Sequence, residues 1–245
     1  MSRTIPSTIR KVRLSHRNLV RRAQREPPRD AKHTIAPGST GLAPPGDTIF
    51  RFQIPSDDEV AHFLAHQKTL DFSYSPTGFT NAPAPDDWEV DHNRICLGQG
   101  RAVFERGKAA LRAWTMFDLG WVRLRPVGVP LLVGQQVCVM ASSLGVIAVN
   151  ACRIVQTFDE AGASGEAVHR FGFTYGTLPG HVERGEERFV VTWDPANDEV
   201  WYDILAYSQP RHPLARLGKP WVRRQQARFA QDSMAAMFSA VTDPH

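Results

Sequence analysis

A succession of short strand candidates most constrains the fold of this 245-residue chain. Six segments after Gly120 are rich in Val, Ile, Phe, Tyr or Trp and are bounded by Gly, Pro, Asn or Asp, a pattern typical of strands separated by turns. Their connections are too short to hold crossover helices, so consecutive strands are expected to pair antiparallel. The predicted strands are Trp121–Arg125, Gln136–Ser142, Val146–Thr157, Val168–Leu178, Glu187–Trp193 and Val200–Ser208.

Helical segments flank this run of strands. Ser56 and Glu59 form a capping-box pattern, which predicts a helix that continues through Lys68. Apolar residues at helical spacing predict a second helix over Val103–Trp114. A long C-terminal helix is predicted over Pro220–Val241, because Pro suits a first turn and one side of the segment is apolar. The remaining predicted strands are Asp47–Ile54 and Trp88–Leu97.

The order of these elements predicts an α+β fold, in which an antiparallel, curved sheet of six to seven strands wraps around the long C-terminal helix. The order resembles that of the START-like lipid-transfer and birch-pollen-allergen superfamily (SRPBCC). That resemblance implies a cavity between the sheet and the helix. We expect a single α+β domain over residues 47–245, preceded by a basic, Pro/Gly-rich and largely disordered tail over residues 1–46.

Charge is distributed unevenly between these two parts. Residues 1–46 contain ten Lys/Arg and two Asp/Glu, whereas residues 47–245 contain 19 Lys/Arg and 23 Asp/Glu. No nucleic-acid partner is expected for the mildly acidic body, because neutralising phosphates requires a basic surface. For the tail, an organelle transit peptide and a membrane-surface or nucleic-acid-binding arm are the alternatives to disorder.

Cysteine usage and hydropathy predict the compartment. Cys96, Cys138 and Cys152 form no CxxC pair, which indicates buried thiols in a reducing compartment. No apolar run is long enough to span a bilayer, and the N-terminus lacks the apolar core of a signal peptide. We therefore expect a soluble, cytoplasmic protein without a transmembrane segment.

The segment from Phe171 to Phe189 contains the best candidate for a site. It is predicted to form a strand, a type II turn at Pro179 and Gly180 with a positive φ at the glycine, and a returning strand. His181 would lie at the tip of this turn, with the carboxyl groups of Glu183, Glu186 and Glu187 nearby.

Strand alternation separates these acidic residues. If Arg188 points outward, Glu187 and Phe189 face the pocket or core, and Glu186 lies on the side of Arg188. A histidine hydrogen-bonded to an inward glutamate can act as a general base, so His181 and Glu187 are candidate catalytic residues. The alternative is structural, with the same side chains capping turn amides.

Aromatic and polar residues of the strands are candidates for lining a pocket. For each aromatic ring the alternative is ordinary core packing. The candidate ligand-binding residues are Tyr175, Thr177, His181, Glu187, Trp201 and Tyr207.

Other classes of site are not predicted. Gly98 and Gly100 lack the third glycine of a dinucleotide fingerprint, because Val103 stands at that offset, so NAD and FAD are not expected. His169 and His181 match no known metal-ligand spacing, and no Gly-x-Ser-x-Gly elbow is present. Neither a cofactor nor a metal is expected.

Several segments closely resemble the DUF1990 family (UPF0548-like), over roughly Phe72 to Met237. The segment 74–80 matches a Tyr-x-x-x-Gly-x-Thr pattern, a Gly-x-Gly turn precedes a Leu-x-x-Trp helix, and the block 171–189 matches almost throughout. Gln209 stands where the family usually has Arg. The resemblance implies a family and a fold, but no catalytic assignment accompanies it.

Three functions remain compatible with these patterns. The first is a binding module for a small apolar or amphipathic ligand, held in a pocket between the sheet and the C-terminal helix. The second is an enzyme that uses the same pocket, with His181 and Glu187 in acid–base roles. The third is a protein-interaction domain without a ligand. A cavity above about 300 Å³ with convergent Tyr, His and Glu side chains would favour ligand handling.

Overall fold

The computed structural model describes residues 10–11, 50–160, 168–210 and 219–242, and it confirms the predicted α+β class, with an antiparallel, curved sheet and a C-terminal helix. No helix in these ranges combines the length and the apolarity needed to cross a membrane. The helices are α1 (Asp57–Lys68), α2 (Arg101–Arg112) and α3 (Lys219–Thr242). The strands are β1 (Arg10–Lys11), β2 (Phe50–Arg51), β3 (Glu89–Gln99), β4 (Val122–Arg125), β5 (Gln136–Ser143), β6 (Val146–Glu160), β7 (His169–Thr177), β8 (Glu183–Asp194) and β9 (Glu199–Pro210).

The sheet combines a meander with one long-range pairing. Its order is β1-β3-β9-β8-β7-β6-β5-β4, and β2 pairs with β6. Strands β4 to β9 are sequential neighbours, as the short connections predict. Strand β3 instead joins beside β9, and the chain then crosses the sheet through α2 to reach β4 at the other edge. Of the predicted tail, only β1 lies within the described residues, where it pairs with β3.

Helices α2 and α3 cover one side of the sheet, which we call the inner face. Phe173, Phe189 and Tyr202 of three adjacent strands are fully buried there. Leu111 of α2 and Met234 of α3 belong to the same core cluster. Burying each such side chain contributes about 1.5–3 kcal/mol, so this cluster holds both helices on the sheet.

Helix α1 packs on the opposite side, which we call the outer face. It begins at the predicted capping box: Ser56 N–H donates to Glu59 Oε2 at 2.8 Å, and Glu59 N–H donates to Ser56 Oγ at 3.3 Å. Phe63 and Leu64 of α1 are buried against outer-face residues of β5 and β6, among them Met140. The cap therefore places the start of a helix whose apolar side covers the β5–β6 hairpin.

The connection between β7 and β8 differs from the prediction. Gly180 is not among the glycines with positive φ in the described residues, so the predicted type II turn conformation is wrong. Its N–H donates to Gln67 Oε1 at 2.7 Å, and its carbonyl oxygen accepts from Ala151 N–H at 2.8 Å. A Cβ at this position would lie 2.6 Å from Phe63 Cζ. Glycine is required here because α1 packs directly on the backbone.

We expect Gly180→Ala to lower the free energy of unfolding by about 1–3 kcal/mol, the usual range for overpacking. Phe63→Leu replaces the ring that the new methyl group would meet by a shorter side chain. The penalty of Gly180→Ala should therefore be smaller in that background. Chemical denaturation of the four proteins of this double-mutant cycle measures both effects. An equal penalty in both backgrounds would contradict the packing explanation.

Candidate functional site

A cavity of about 600 Å³ lies between the inner face and the N-terminal half of α3. This volume falls within the range of small-molecule sites, about 300–1,000 Å³. Its apolar lining includes Phe117, Trp121, Val139, Ile204, Val222 and Phe229. Its polar lining includes Tyr175, Thr177, His181, Glu183, Glu187 and Gln226.

Small side chains on the strands leave this space open. Ala141, Ala148, Ala206 and Ser208 all border the cavity on β5, β6 and β9. Further along α3, the large side chains of the core cluster fill the corresponding volume. The cavity therefore arises from residue size along the strands under one continuous helix.

Alternation along β8 gives its two consecutive glutamates different surroundings. Glu187 borders the cavity and pairs in the sheet with Tyr175 of β7 and Ala206 of β9. The Tyr175 hydroxyl donates to Glu187 Oε2 at 2.7 Å. Phe189, two residues on, is buried in the inner core, and Glu186 points to the outer face.

Glu187 is half-buried, and it lies on the wall of the cavity. This burial raises the pKa of Glu187 to about 7. The Tyr175 hydrogen bond opposes the rise, whereas the negative charges of Glu183 and Asp91 add to it. A carboxyl group of this kind can gain or lose a proton near neutral pH.

Glu183 is a second inward carboxyl group on β8. Gln226 of α3 donates from Nε2 to both of its oxygens, at 2.9 Å each. Burial raises the pKa of Glu183 to about 7; the Gln226 hydrogen bond and the charge of Arg223 lower it, and Glu89 and Asp91 raise it. Glu183 is not among the predicted site residues, although it has the same strand parity as Glu187 and lies near the predicted turn.

His181 also borders the cavity, at the end of the connection before β8. Its Nδ1 accepts a hydrogen bond from Glu183 N–H at 2.9 Å and lies 3.1 Å from the Glu183 carbonyl oxygen. Val182 N–H donates to Asn150 Oδ1 at 3.3 Å, which ties the same connection to β6. His181 and Glu187 thus reach one cavity through different hydrogen-bond partners.

The other three predicted ligand-binding residues differ in position. Thr177 borders the cavity, and its Oγ1 accepts from Gly185 N–H at 2.9 Å. Tyr207 also borders it, but its ring stacks on Phe79 of the outer face at 5.7 Å between centroids. Trp201 is not among the lining residues, and its indole N–H donates to Glu199 at 2.9 Å. The inward side chains of β9 are instead the even-numbered ones.

Glu186 organises the outer face. It is 2% exposed, and it accepts hydrogen bonds from the Tyr74 hydroxyl at 2.8 Å, Gly78 N–H at 2.5 Å and Thr80 N–H at 3.3 Å. These donors are the three fixed positions of the Tyr-x-x-x-Gly-x-Thr pattern. Gly78 has a φ of 83°, a conformation that favours glycine. The pattern therefore anchors the segment before β3 to the sheet.

Fold and site together define an α+β protein whose antiparallel sheet and C-terminal helix enclose a cavity with two inward glutamates. The chain belongs to the DUF1990 family, whose model, described as a domain of unknown function, matches residues 73–236. A UPF0548 protein of Dictyostelium discoideum is 34% identical over 209 residues, covering 79% of this chain and 96% of the relative. A UPF0548 protein of Deinococcus radiodurans is 35% identical over 196 residues, covering 75% and 94%.

Solved structures with some likeness to this chain include human STARD10 and the hypothetical protein jhp0584 of Helicobacter pylori. STARD10 has a TM-score of 0.40 at 10% identity, covering 78% of this chain and 82% of that chain. The Helicobacter protein has a TM-score of 0.42 at 12% identity, covering 70% and 96%.

Tyr74→Phe removes one of the three donors to the buried Glu186, and we expect it to lower the free energy of unfolding by about 1–3 kcal/mol. Tyr175→Phe is the matched control, because it removes a hydroxyl donor from Glu187, which faces a cavity that water can enter. Its effect should be the smaller of the two by chemical denaturation at neutral pH. The reverse order would contradict the anchoring role of Glu186.

Glu187 should make stability depend on pH. The unfolded chain loses this proton near the ordinary pKa of 4.5 and the folded chain near 7, so Glu187 lowers the free energy of unfolding as pH rises between these values. Glu187→Gln stays neutral and keeps an acceptor for Tyr175. We expect it to exceed the parent in stability by about 2 kcal/mol at pH 8, with almost no difference at pH 4.

Thermal and chemical denaturation across this pH range provides the measurement. Glu105→Gln, on the exposed side of α2, is the control for loss of a surface carboxylate. A Glu187→Gln protein that gains no stability over the parent between pH 4 and pH 8 would show that the carboxyl group is not held in a desolvated state.

Proposed function

We propose that this protein is a binding module for a small apolar or amphipathic ligand, which occupies the cavity between the sheet and α3. The observation that supports this proposal most directly is the cavity of about 600 Å³, lined by aromatic and aliphatic side chains with a few polar groups among them. Such a composition suits a ligand with an apolar body, because desolvation of the walls favours binding and the polar groups orient the ligand.

Most of the titratable groups lie on one part of the wall. His181, Glu183 and Glu187 come from β8 and the connection before it, with Tyr175 on the neighbouring strand. The walls from β5, β6 and α3 contribute mainly apolar side chains. A ligand with one polar end and an apolar body matches this division, which favours an amphipathic molecule.

Exposed apolar side chains border the same cavity. Phe52 is 85% exposed, Leu144 at the β5–β6 turn is 88% exposed, and Trp221 in the first turn of α3 is 43% exposed. They come from three separate parts of the chain, and they mark the rim where the cavity meets solvent. An apolar rim lowers the barrier for an apolar ligand to leave water and enter.

An enzyme that uses this cavity is the second candidate function. The observation that favours it is the pKa of Glu187 near 7, a value suited to a general acid or base. His181, which borders the same cavity, would be the second acid–base group. If the cavity binds nothing, the third alternative, a protein-interaction domain without a ligand, would be favoured.

The proposal predicts that native mass spectrometry of freshly purified full-length protein shows a bound small molecule, which denaturing extraction then releases. Ala141→Phe places a ring in the cavity and should abolish the bound mass. Ala102→Phe, on the exposed side of α2, is the matched control and should retain it. Retention by both variants would locate the molecule elsewhere and overturn the cavity assignment.

The enzyme candidate has a separate readout. A molecule found by this extraction should return unchanged after incubation with the protein if the cavity only binds it. Conversion that stops in Glu187→Gln, while the bound mass persists, would replace the binding module by the enzyme.

A further inference from the structure

Two carboxyl groups border the cavity without a cationic partner in the part of the chain that the structure describes. Glu187 accepts a hydrogen bond from Tyr175, and Glu183 accepts two from Gln226. The guanidinium of Arg223 is bonded instead to Asp91, at 2.5 and 3.1 Å, and to Glu89 at 3.1 Å. The two inward carboxyl groups are therefore held by neutral donors.

A buried carboxylate without a cation is unfavourable, because the protein replaces water incompletely as its solvent. The raised pKa values of Glu183 and Glu187 reflect this cost. Glu183 and Asp91 raise the pKa of Glu187, and Glu89 and Asp91 raise the pKa of Glu183. A positive charge brought into the cavity would relieve this cost. A further hydrogen-bond acceptor lacks a partner at this cavity. Gln225 borders it, and its Oε1 is buried with no donor among the described residues.

Aromatic rings surround the same space. Phe117 lies 6.1 Å from Tyr175 and 5.3 Å from Phe229, measured between ring centroids, and all three border the cavity. The faces of aromatic rings attract an organic cation, and their edges and faces pack well against its alkyl substituents. Carboxyl groups and aromatic rings together are therefore suited to a positively charged nitrogen attached to an apolar body.

We propose that the cavity selects amphipathic amines: a cationic nitrogen is attracted by the negative charges of Glu187 and Glu183, and the apolar body lies along α3, β5 and β6. This inference rests on the proposed binding function and adds the chemical class of the ligand. Primary, secondary and quaternary amines share the positive charge that the argument requires. A carboxylate or phosphate head would instead be repelled by the inward glutamates.

Affinity for an amine should rise as the inward glutamates ionise, through the region around pH 7. An alkylamine keeps its positive charge throughout this range, so the change reports on the protein. The titratable and charged groups that interact with the two carboxyl groups come from four strands and α3. They are Tyr175, Asp91, Glu89, Tyr202, Cys152 and Arg223, with His181 at the same cavity.

The test compares three ligands of equal chain length that differ only in the head group: decylamine, decanol and decanoic acid. Each displaces the neutral fluorescent probe N-phenylnaphthylamine from the full-length protein. At pH 8 we expect decylamine to bind about tenfold more tightly than decanol, as one partly desolvated ion pair provides, with decanoic acid weakest. The advantage of the amine should shrink at pH 6.

Isosteric variants assign the effect to residues. Glu187→Gln and Glu183→Gln should each weaken decylamine binding by roughly fivefold or more and change decanol binding much less, whereas the surface control Glu105→Gln should change neither. Retained decanol binding also shows that a variant is folded with its cavity intact.

The outcomes separate the two proposals. Equal affinities for decylamine and decanol, or an amine preference that survives both Glu→Gln variants, would overturn the amine assignment while decanol binding still supports the binding module. Failure of the probe and all three ligands to bind would overturn the binding module, and the amine assignment with it.

Discussion

Register in the centre of the sheet is the constraint on which the other features depend. Strand β8 is hydrogen-bonded to β7 on one side and β9 on the other, and this pairing turns Glu186 outward and Glu187 inward. A slip of one residue would exchange the two carboxyl groups and move every apolar side chain of the strand to the wrong face. Adjacent glutamates in the chain thus serve two unrelated environments, one closed by donors and the other open to a cavity.

The two faces of the sheet have different roles. On the outer face, three donors close around Glu186 and α1 packs on the backbone of Gly180, so the β7–β8 connection is held from both ends. On the inner face, small side chains leave a space that the large residues of α3 do not fill. Rigid packing on one side therefore positions the carboxyl and imidazole groups that border the space on the other.

Local signals in the sequence predicted the elements well, because caps, strand alternation and helical periodicity act over a few residues. The capping box of Ser56 begins α1 as expected, and the long final helix and the meander are observed. What sequence reasoning missed depends on distant partners. The requirement for glycine at 180 comes from Phe63, over a hundred residues away in the chain, and the outward ring of Tyr207 follows from the parity of β9 in a sheet whose register no local pattern reveals.

The pairing of β3 with β9 has a consequence for how the chain is made. Glu89 of β3 pairs with Ser208 of β9, so one edge of the sheet cannot close until more than a hundred further residues have been translated. At about 5–20 residues per second, the synthesis of these residues takes on the order of ten seconds, during which the edge of β3 that β9 will pair stays unmatched. The meander can assemble in order of synthesis, but β3 must be kept from pairing with other nascent chains during that interval.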